Sequence, residues 1–330
     1  MAKFDPSKLK RIGIYASGGD APGMNPAIRA AVRTACSKNL EVLGFVGGYN
    51  GILNKQVMPM DLRSVANIIQ RGGSILKAGR CLEFTKPEVR KKAVENLKTL
   101  KVDGLICIGG DGSLTGAHTL WEEHQIPFVG VPGTIDNDIF GSDYTIGFDT
   151  AINTAVDAID KIRDTAASHD RLFIIEVMGR NTGFLAVAAG LAGGAEDIFI
   201  PEAPFKVENT VELIERGAKR GKLSSILVTA EGHKPGRAYD LAEAIRKHSG
   251  HKASVCILGH IQRGGIPSAL DRLLGSRMTS SAVELLCEGF TDIMVGIEGK
   301  RLVRLEMKDI LGQKKQVEQA WIDLAQVLSN

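Results

Sequence analysis

Aromatic residues make up only 5% of this 330-residue chain, and none of its basic residues forms a run interleaved with them. With a net charge of just +3, that leaves no charged and stacking surface of the kind nucleic acids require. Cysteine is sparse as well. Cys36, Cys81, Cys107, Cys256 and Cys287 are odd in number, scattered and free of any Cys-x-x-Cys pair, which argues against a disulfide framework and points to reduced, structural thiols. His248 and His251 are spaced as metal ligands, but no further Cys or His completes a set, and no metal is assigned to them. Long apolar runs are missing too: the stretch around residues 184–191 is interrupted by Gly190 and too short to span a bilayer. Residues 1–11 carry mixed charge without the apolar core of a secretion signal, so the expected location is cytoplasmic, with no membrane partner. Two familiar nucleotide fingerprints are also absent, the Gly-x-x-x-x-Gly-Lys-[Ser/Thr] loop and a Gly-x-Gly-x-x-Gly after a strand. A P-loop NTPase and a Rossmann dehydrogenase are therefore disfavoured.

What the chain does have is 44% apolar residues, enough over this length to build about two domains. Apolar runs at residues 12–16, 104–108, 172–177, 225–229 and 255–258 each end in a glycine-containing loop. Between them lie helix-like stretches at 26–37, 86–100, 150–163 and 207–219. Short continuous strands alternating with helices predict parallel sheets covered on both faces, with ligands at the carboxyl ends of the strands. Asn25 is a good N-cap and Pro26 suits a first helical position, so the first helix is expected to start there, facing Gly18-Gly19-Asp20. With no low-complexity linker, charge block or short repeat, the domain boundary has to come from topology. The expected division is 1–147 plus 262–312 and 148–261 plus 313–330.

Two segments carry the chemistry. Gly109-Gly110-Asp111-Gly112-Ser113 and Pro132-Gly133-Thr134-Ile135-Asp136-Asn137-Asp138 each set a carboxylate in a loop directly after an apolar strand. An aspartate between glycines also makes a tight turn. Together with Gly18-Gly19-Asp20, however, these loops supply what phosphoryl transfer from a nucleotide needs: backbone N–H groups for phosphate, one carboxylate for magnesium and another for the proton of the attacking hydroxyl.

These segments, with Met178-Gly179-Arg180 and Gly259-His260-Ile261-Gln262-Arg263-Gly264-Gly265, resemble in the same order those of the 6-phosphofructokinases of the bacterial ATP-dependent type, over nearly the whole chain. The resemblance implies an α/β fold of two doubly wound, mostly parallel-sheet, Rossmann-like domains, one for ATP and one for the sugar phosphate, with the active site in the cleft between them. It implies transfer of the γ-phosphoryl group of ATP to the 1-hydroxyl of fructose 6-phosphate, with Mg2+. Mapped onto matching positions, it makes Asp136 the general base, with Asp138, Thr134 and Arg180 assisting. Gly19, Arg80, Cys81, Asp111, Gly112 and Ser113 would line ATP, and Asp111 would hold the metal. The sugar phosphate would be held by Thr134, Ile135, Asp136, Met178, Gly179, Arg180, Glu231, His260 and Arg263, and by Arg171 from a neighbouring subunit of a homotetramer. Arg29, Arg33, Arg163, Arg220 and Lys222 match a site for ADP or phosphoenolpyruvate as effectors.

The chain departs from the family pattern at two positions. Leu62 stands where an effector-site arginine is expected, with Arg63 displaced by one. Ser254 stands where an arginine usually crosses to the sugar 6-phosphate, with Lys252 or His251 as the substitute. Pyrophosphate-using relatives carry an aspartate at the position of Gly112 and a lysine at that of Gly133, so the two glycines here favour ATP. The alternatives are a pyrophosphate-dependent enzyme, a kinase for another ketose phosphate and a non-catalytic sugar-phosphate sensor. A full set of Asp111, Asp136, Asp138, Arg80 and Arg180 stands against the sensor.

Overall fold

The computed structural model describes all residues except Asp170, Phe205, Leu223, Ser329 and Asn330. In chain order the strands are β1 (Ala2–Lys3), β2 (Arg11–Ser17), β3 (Glu41–Phe45), β4 (Val57–Met60), β5 (Gly104–Gly109), β6 (Phe128–Pro132), β7 (Leu172–Val177), β8 (Asp197–Phe199), β9 (Ser225–Ala230), β10 (Ala253–Ile257), β11 (Phe290–Thr291), β12 (Ile293–Glu298) and β13 (Arg301–Glu306). The helices are α1 (Met24–Ser37), α2 (Tyr49–Leu53), α3 (Pro87–Thr99), α4 (Asp111–His124), α5 (Phe148–His169), α6 (Phe184–Ala192), α7 (Val207–Lys219), α8 (Arg237–Ser249), α9 (Ala269–Cys287), α10 (Met307–Ile310) and α11 (Gln319–Leu328). None of the described helices is long and apolar enough to cross a membrane.

The chain forms two compact α/β units. One comprises Met1–Thr134, Ile139–Asp149 and Arg263–Lys315; the other comprises Ile135–Asp138, Thr150–Gln262 and Gln316–Asn330. Where the sequence reading divides the chain after 147, before 262 and after 312, these units divide after Asp149, before Arg263 and after Lys315, and the four residues Ile135–Asp138 group with the second unit.

The first unit is built on a seven-stranded sheet in the order β13-β12-β6-β5-β2-β3-β4. Its five central strands are parallel, and β13 and β4 close the edges antiparallel. β5 is buried along its whole length, as expected for a strand packed on both faces by helices. Tyr15, Phe45, Leu97, Leu105, Leu114 and Phe128 lie in its core. The chain runs outward from β2 to β3 and then returns to add β5 on the other side of β2. The strand order therefore reverses between β2 and β5, which is where open α/β sheets bind ligands.

The second unit carries a four-stranded, wholly parallel sheet in the order β10-β7-β9-β8. Leu172, Ile174, Phe199, Leu227 and Ile245 pack in its core. The broken apolar stretch near Gly190 is α6, a core helix too short to span a bilayer.

The start of α1 differs from the expectation. Its N-cap is Gly23, in the left-handed region at φ +113°, and Met24 is the first helical residue. Asn25 is buried instead, and its side chain ties down a neighbouring loop: Nδ2 donates to the carbonyls of Arg71 and Gly72, and Oδ1 accepts from the amide of Ile75. An amide that bonds both donors and acceptors of a distant segment is worth more to the fold there than as a solvent-facing cap.

Candidate active site

In the first unit three loops emerge from adjacent strand ends. Register pairs Ser17 of β2 with Gly109 of β5, and Gly109 with Pro132 of β6, so Gly18-Gly19-Asp20, Gly110 to Ser113 and Gly133-Thr134 leave the sheet side by side. Gly110 caps α4, whose first turn opens with Asp111. This helix end combines the positive pole of a helix dipole with an exposed carboxylate, suited to an anion and a cation together. A Cβ placed on Gly112 would meet nothing within 4 Å, so the space beside this turn is open. Gly109 is different, because a Cβ there would lie 2.7 Å from the carbonyl oxygen of Ser17, and only glycine lets the two loops approach so closely.

Arg80 and Cys81 reach this end of the sheet through hydrogen bonds. The amide of Gly18 donates to the carbonyl of Gly79 at 3.2 Å, and Asn50 Nδ2 donates to that of Arg80 at 3.3 Å. The Arg80 side chain is exposed, and burial raises the Cys81 thiol above its ordinary value. Arg263 also belongs here: a Cβ on Gly19 would lie 2.9 Å from its Nη1, so the guanidinium sits against the glycine loop. Its Nε is buried with no hydrogen-bond partner among the described residues. Such a group is costly unless a ligand satisfies it.

A buttress beneath these loops was missed in the sequence. Tyr49 Oη donates to the carbonyl of Ser113 at 2.6 Å and accepts from Tyr15 Oη at 3.0 Å, with Cys107 Sγ 3.6 Å from the same carbonyl. Burial pushes both phenols well above their usual range and the Cys107 thiol up to about 12, so all three stay protonated donors around neutral pH. A tyrosine after Gly47-Gly48 is the only signal in the chain, and it says nothing of a partner 64 residues on.

In the second unit the loops after β7, β9 and β10 are again neighbours, since β7 lies between β10 and β9. Asp136, only 5% exposed, has Oδ2 3.7 Å from Arg180 Nε. Its carbonyl accepts from Thr182 Oγ1 at 3.3 Å, and Thr182 also bonds the carbonyl of Gly179 at 2.9 Å. Gly179 (φ +131°) and Arg180 (φ +50°) both hold left-handed backbone, as does Asn137 (φ +52°). At Gly179 a Cβ would also meet the Thr182 carbonyl at 2.8 Å. The same left-handed conformation occurs at Lys55, Lys77 and Lys101, so it is the bonds to Asp136 and Glu231 that single out Arg180. Glu231 Oε1 accepts from the Arg180 amide at 3.3 Å, and the Glu231 amide bonds back to Val177. Gln262, fully buried, accepts the Met178 amide at 2.9 Å through Oε1. Thr182 and Gln262 thus hold Met178 to Arg180 in place, and neither was singled out in the sequence. His260, exposed, follows β10 at the same sheet end.

Arg171 is not brought to this cluster. It precedes β7 while Met178 follows it, so about 20 Å of strand separates them. Ser254 pairs with Phe173 and lies at that same amino end of the sheet.

The five basic residues of the expected effector set divide between the units. Arg29 and Arg33 lie on α1 in the first. In the second, Arg163 donates to the carbonyls of Gly193 and Gly194 and approaches Glu196 at 3.8 Å, Lys222 pairs with the same Glu196, and Arg220 ends α7. Glu196, 8% exposed, is another residue that spacing did not reveal. Leu62 is 51% exposed, and the Arg63 amide bonds the Asp61 carboxylate.

Residues 11–286 match the family model described as phosphofructokinase. The chain is 53% identical over 322 residues to the ATP-dependent 6-phosphofructokinase 1 of Thermus thermophilus, covering 97% of this chain and 100% of that one. It is 51% identical over 321 residues to the ATP-dependent 6-phosphofructokinase of Bacillus subtilis, with the same coverage. Among solved structures, the phosphofructokinase of Pichia pastoris in the T-state superposes with a TM-score of 0.87 at 33% identity, covering 96% of this chain. This chain spans only 37% of that one, and 45% of the phosphofructokinase of Saccharomyces cerevisiae, which it matches at a TM-score of 0.84 and 35% identity over 91% of its own length.

Proposed function

The chain belongs to the phosphofructokinase family and is a phosphotransferase, and we propose how its own residues carry the reaction. It transfers the γ-phosphoryl group of ATP to the 1-hydroxyl of fructose 6-phosphate, giving fructose 1,6-bisphosphate and ADP, a step of glycolysis. The observation that carries the assignment of roles is the adjacency of the Gly18–Asp20 and Gly110–Ser113 loops at the point where the strand order of the first sheet reverses.

The first unit takes the nucleotide. The amides at the start of α4 and around Gly19 face its phosphates, with Arg80 and Cys81 alongside, and the open space at Gly112 admits a donor larger than pyrophosphate. Arg263, pressed against Gly19, supplies charge on the same side, a role distinct from the sugar contact the resemblance implied. The exposed Asp111 carboxylate in that open space fits Mg2+, a hard cation usually held by one or two carboxylates and substrate phosphates. Magnesium there would neutralise charge on the β- and γ-phosphates.

The second unit takes the sugar phosphate. Asp136 accepts the proton of the attacking hydroxyl, Asp138 orients the reacting groups, and Arg180 meets the negative charge that develops on the phosphoryl group in flight. Glu231 accepts sugar hydroxyls, with Ile135, Met178, Gly179 and His260 around them. Arg171 acts from a second copy in a homotetramer, because its own strand carries it to the far end of the sheet. ADP or phosphoenolpyruvate is the effector the family's interface site would take, through Arg29, Arg33, Arg163, Arg220 and Lys222, and the protein works in the cytoplasm.

A coupled assay of bisphosphate formation tests this reading. Turnover is expected with ATP and Mg2+, strongly favoured over pyrophosphate, and a preference for pyrophosphate would overturn the donor assignment.

A further inference from the structure

We propose that His118, Glu122 and Asp292 form a binding site for one divalent transition-metal ion of the zinc or cobalt class, which clamps α4 to the turn between β11 and β12. His118 and Glu122 stand four residues apart on one face of α4, the spacing that lets two helical side chains share a ligand. Asp292 reaches them from the turn, with its Oδ1 2.7 Å from His118 Nδ1. One ligand atom from each of the three lies within 4.8 Å of the others, and no second such group of three occurs among the described residues. Tetrahedral coordination at zinc–ligand lengths of about 2.0 to 2.2 Å needs ligand atoms roughly 3.4 Å apart. The metal takes the place of the proton shared by His118 and Asp292, whose 2.7 Å separation widens to that spacing, while the exposed Glu122 side chain turns in to complete the set.

The turn is held ready for this. Asp292 has left-handed backbone at φ +56°, its amide donates to the carbonyl of Phe128 and its carbonyl accepts from Met307, each at 3.0 Å. Glu306 is itself engaged by the amino group of Met1 at 2.8 Å and by Lys308 at 3.2 Å, and His118 is the direct partner of Asp292. One imidazole nitrogen and two carboxylate oxygens suit zinc or cobalt, and they do not suit magnesium, which prefers all-oxygen octahedral shells. His118 lies about 10 Å along the helix axis from Asp111, so the site is separate from the nucleotide metal and its test does not depend on the proposed reaction.

The experiment is a titration of the metal-stripped, full-length protein with Co2+ in excess Mg2+ and without substrates, followed by its visible ligand-field absorption and by displacement with Zn2+. One equivalent per chain is expected, without a thiolate charge-transfer band, together with a rise in thermal midpoint on adding Zn2+. Affinity should fall at least tenfold in Glu122→Gln, a change at an exposed position that leaves folding intact, and at least as far in His118→Gln. Absence of a stoichiometric band, or a band that persists unchanged in both variants, overturns the site.

Discussion

In the seven-stranded unit the loops proposed to take the donor are largely main chain: Gly18, Gly19, Gly110 and Gly112 carry no side chain, and the Tyr15–Tyr49 pair that steadies the Ser113 turn is buried below them. In the four-stranded unit the corresponding loops are crowded with side chains, and Asp136, Thr182 and Glu231 interlock with Arg180, whose own backbone is left-handed. A nucleotide's phosphates are chemically uniform and are satisfied by any properly spaced N–H groups, so glycine suffices. Abstracting a proton and meeting new charge requires particular atoms at particular distances, and rigidity comes from packing polar groups against one another.

That contrast is most directly broken at Asp136. Asp136→Asn keeps the shape and removes the base, so turnover should fall by about 10² to 10⁴ while sugar binding changes little. If more than half of the turnover survived, another group would be the base and the side-chain-rich unit would not be the chemical one. Next in size is Gly112→Asp, which places bulk and negative charge in the open space at the head of α4. The specificity constant for ATP should drop more than tenfold, about 1.4 kcal/mol or more. Unchanged ATP kinetics would show that the main-chain loop does not face the nucleotide. This single change is the cleaner probe, because at Gly133 a Cβ already comes 3.2 Å from Ile108, and a lysine there would disturb packing as well as donor choice.

A smaller effect is expected beneath the loops. Tyr49→Phe leaves the Ser113 carbonyl and the Tyr15 hydroxyl short of a buried partner, which should cost about 1 to 3 kcal/mol of stability. Denaturant unfolding measures that loss, and steady-state kinetics should show the apparent KM for ATP rising more than the KM for fructose 6-phosphate. Equal effects on both substrates would mean that the buttress supports the whole molecule rather than the donor loops.

The smallest effect concerns pH. The Cys107 thiol is raised from 9.0 to about 12 by burial, so the protonated form is favoured by folding. Its contribution is complete below pH 9 and is lost as pH rises towards 12, with Tyr15 and Tyr49 acting in the same direction higher in the range. The thermal midpoint should therefore fall between pH 9 and 11, and less steeply in Cys107→Ala. Parallel slopes in the two proteins would show that this thiol is not the group responsible.

How much of this was legible follows from the range of the interactions involved. Alternating apolar runs and glycine loops announced the β-α units, because parallel strands buried on both faces must be continuously apolar and their ends must turn sharply. The carboxylates Asp111, Asp136 and Asp138 and the arginines Arg80 and Arg180 stood out for the same local reason, each lying within a few residues of a glycine loop or an Arg-after-Gly turn. The start of α1 was misread because Asn25 is a good local cap, yet its side chain is claimed by Arg71, Gly72 and Ile75 some fifty residues away. Tyr49, Thr182, Glu196 and Gln262 escaped for the same reason.

The sequence by itself determined which elements form and which residue types stand at their ends, since both depend on burial periodicity and turn chemistry within a dozen residues. Only the tertiary structure decided which ends become neighbours: that β5 returns to the inner side of β2, that Ile135–Asp138 joins the second unit, that Arg263 lies against Gly19, and that Arg171 and Met178 stand at opposite ends of β7. Those choices are made by strand order and by hydrogen bonds between residues far apart in the chain, and no local pattern records them.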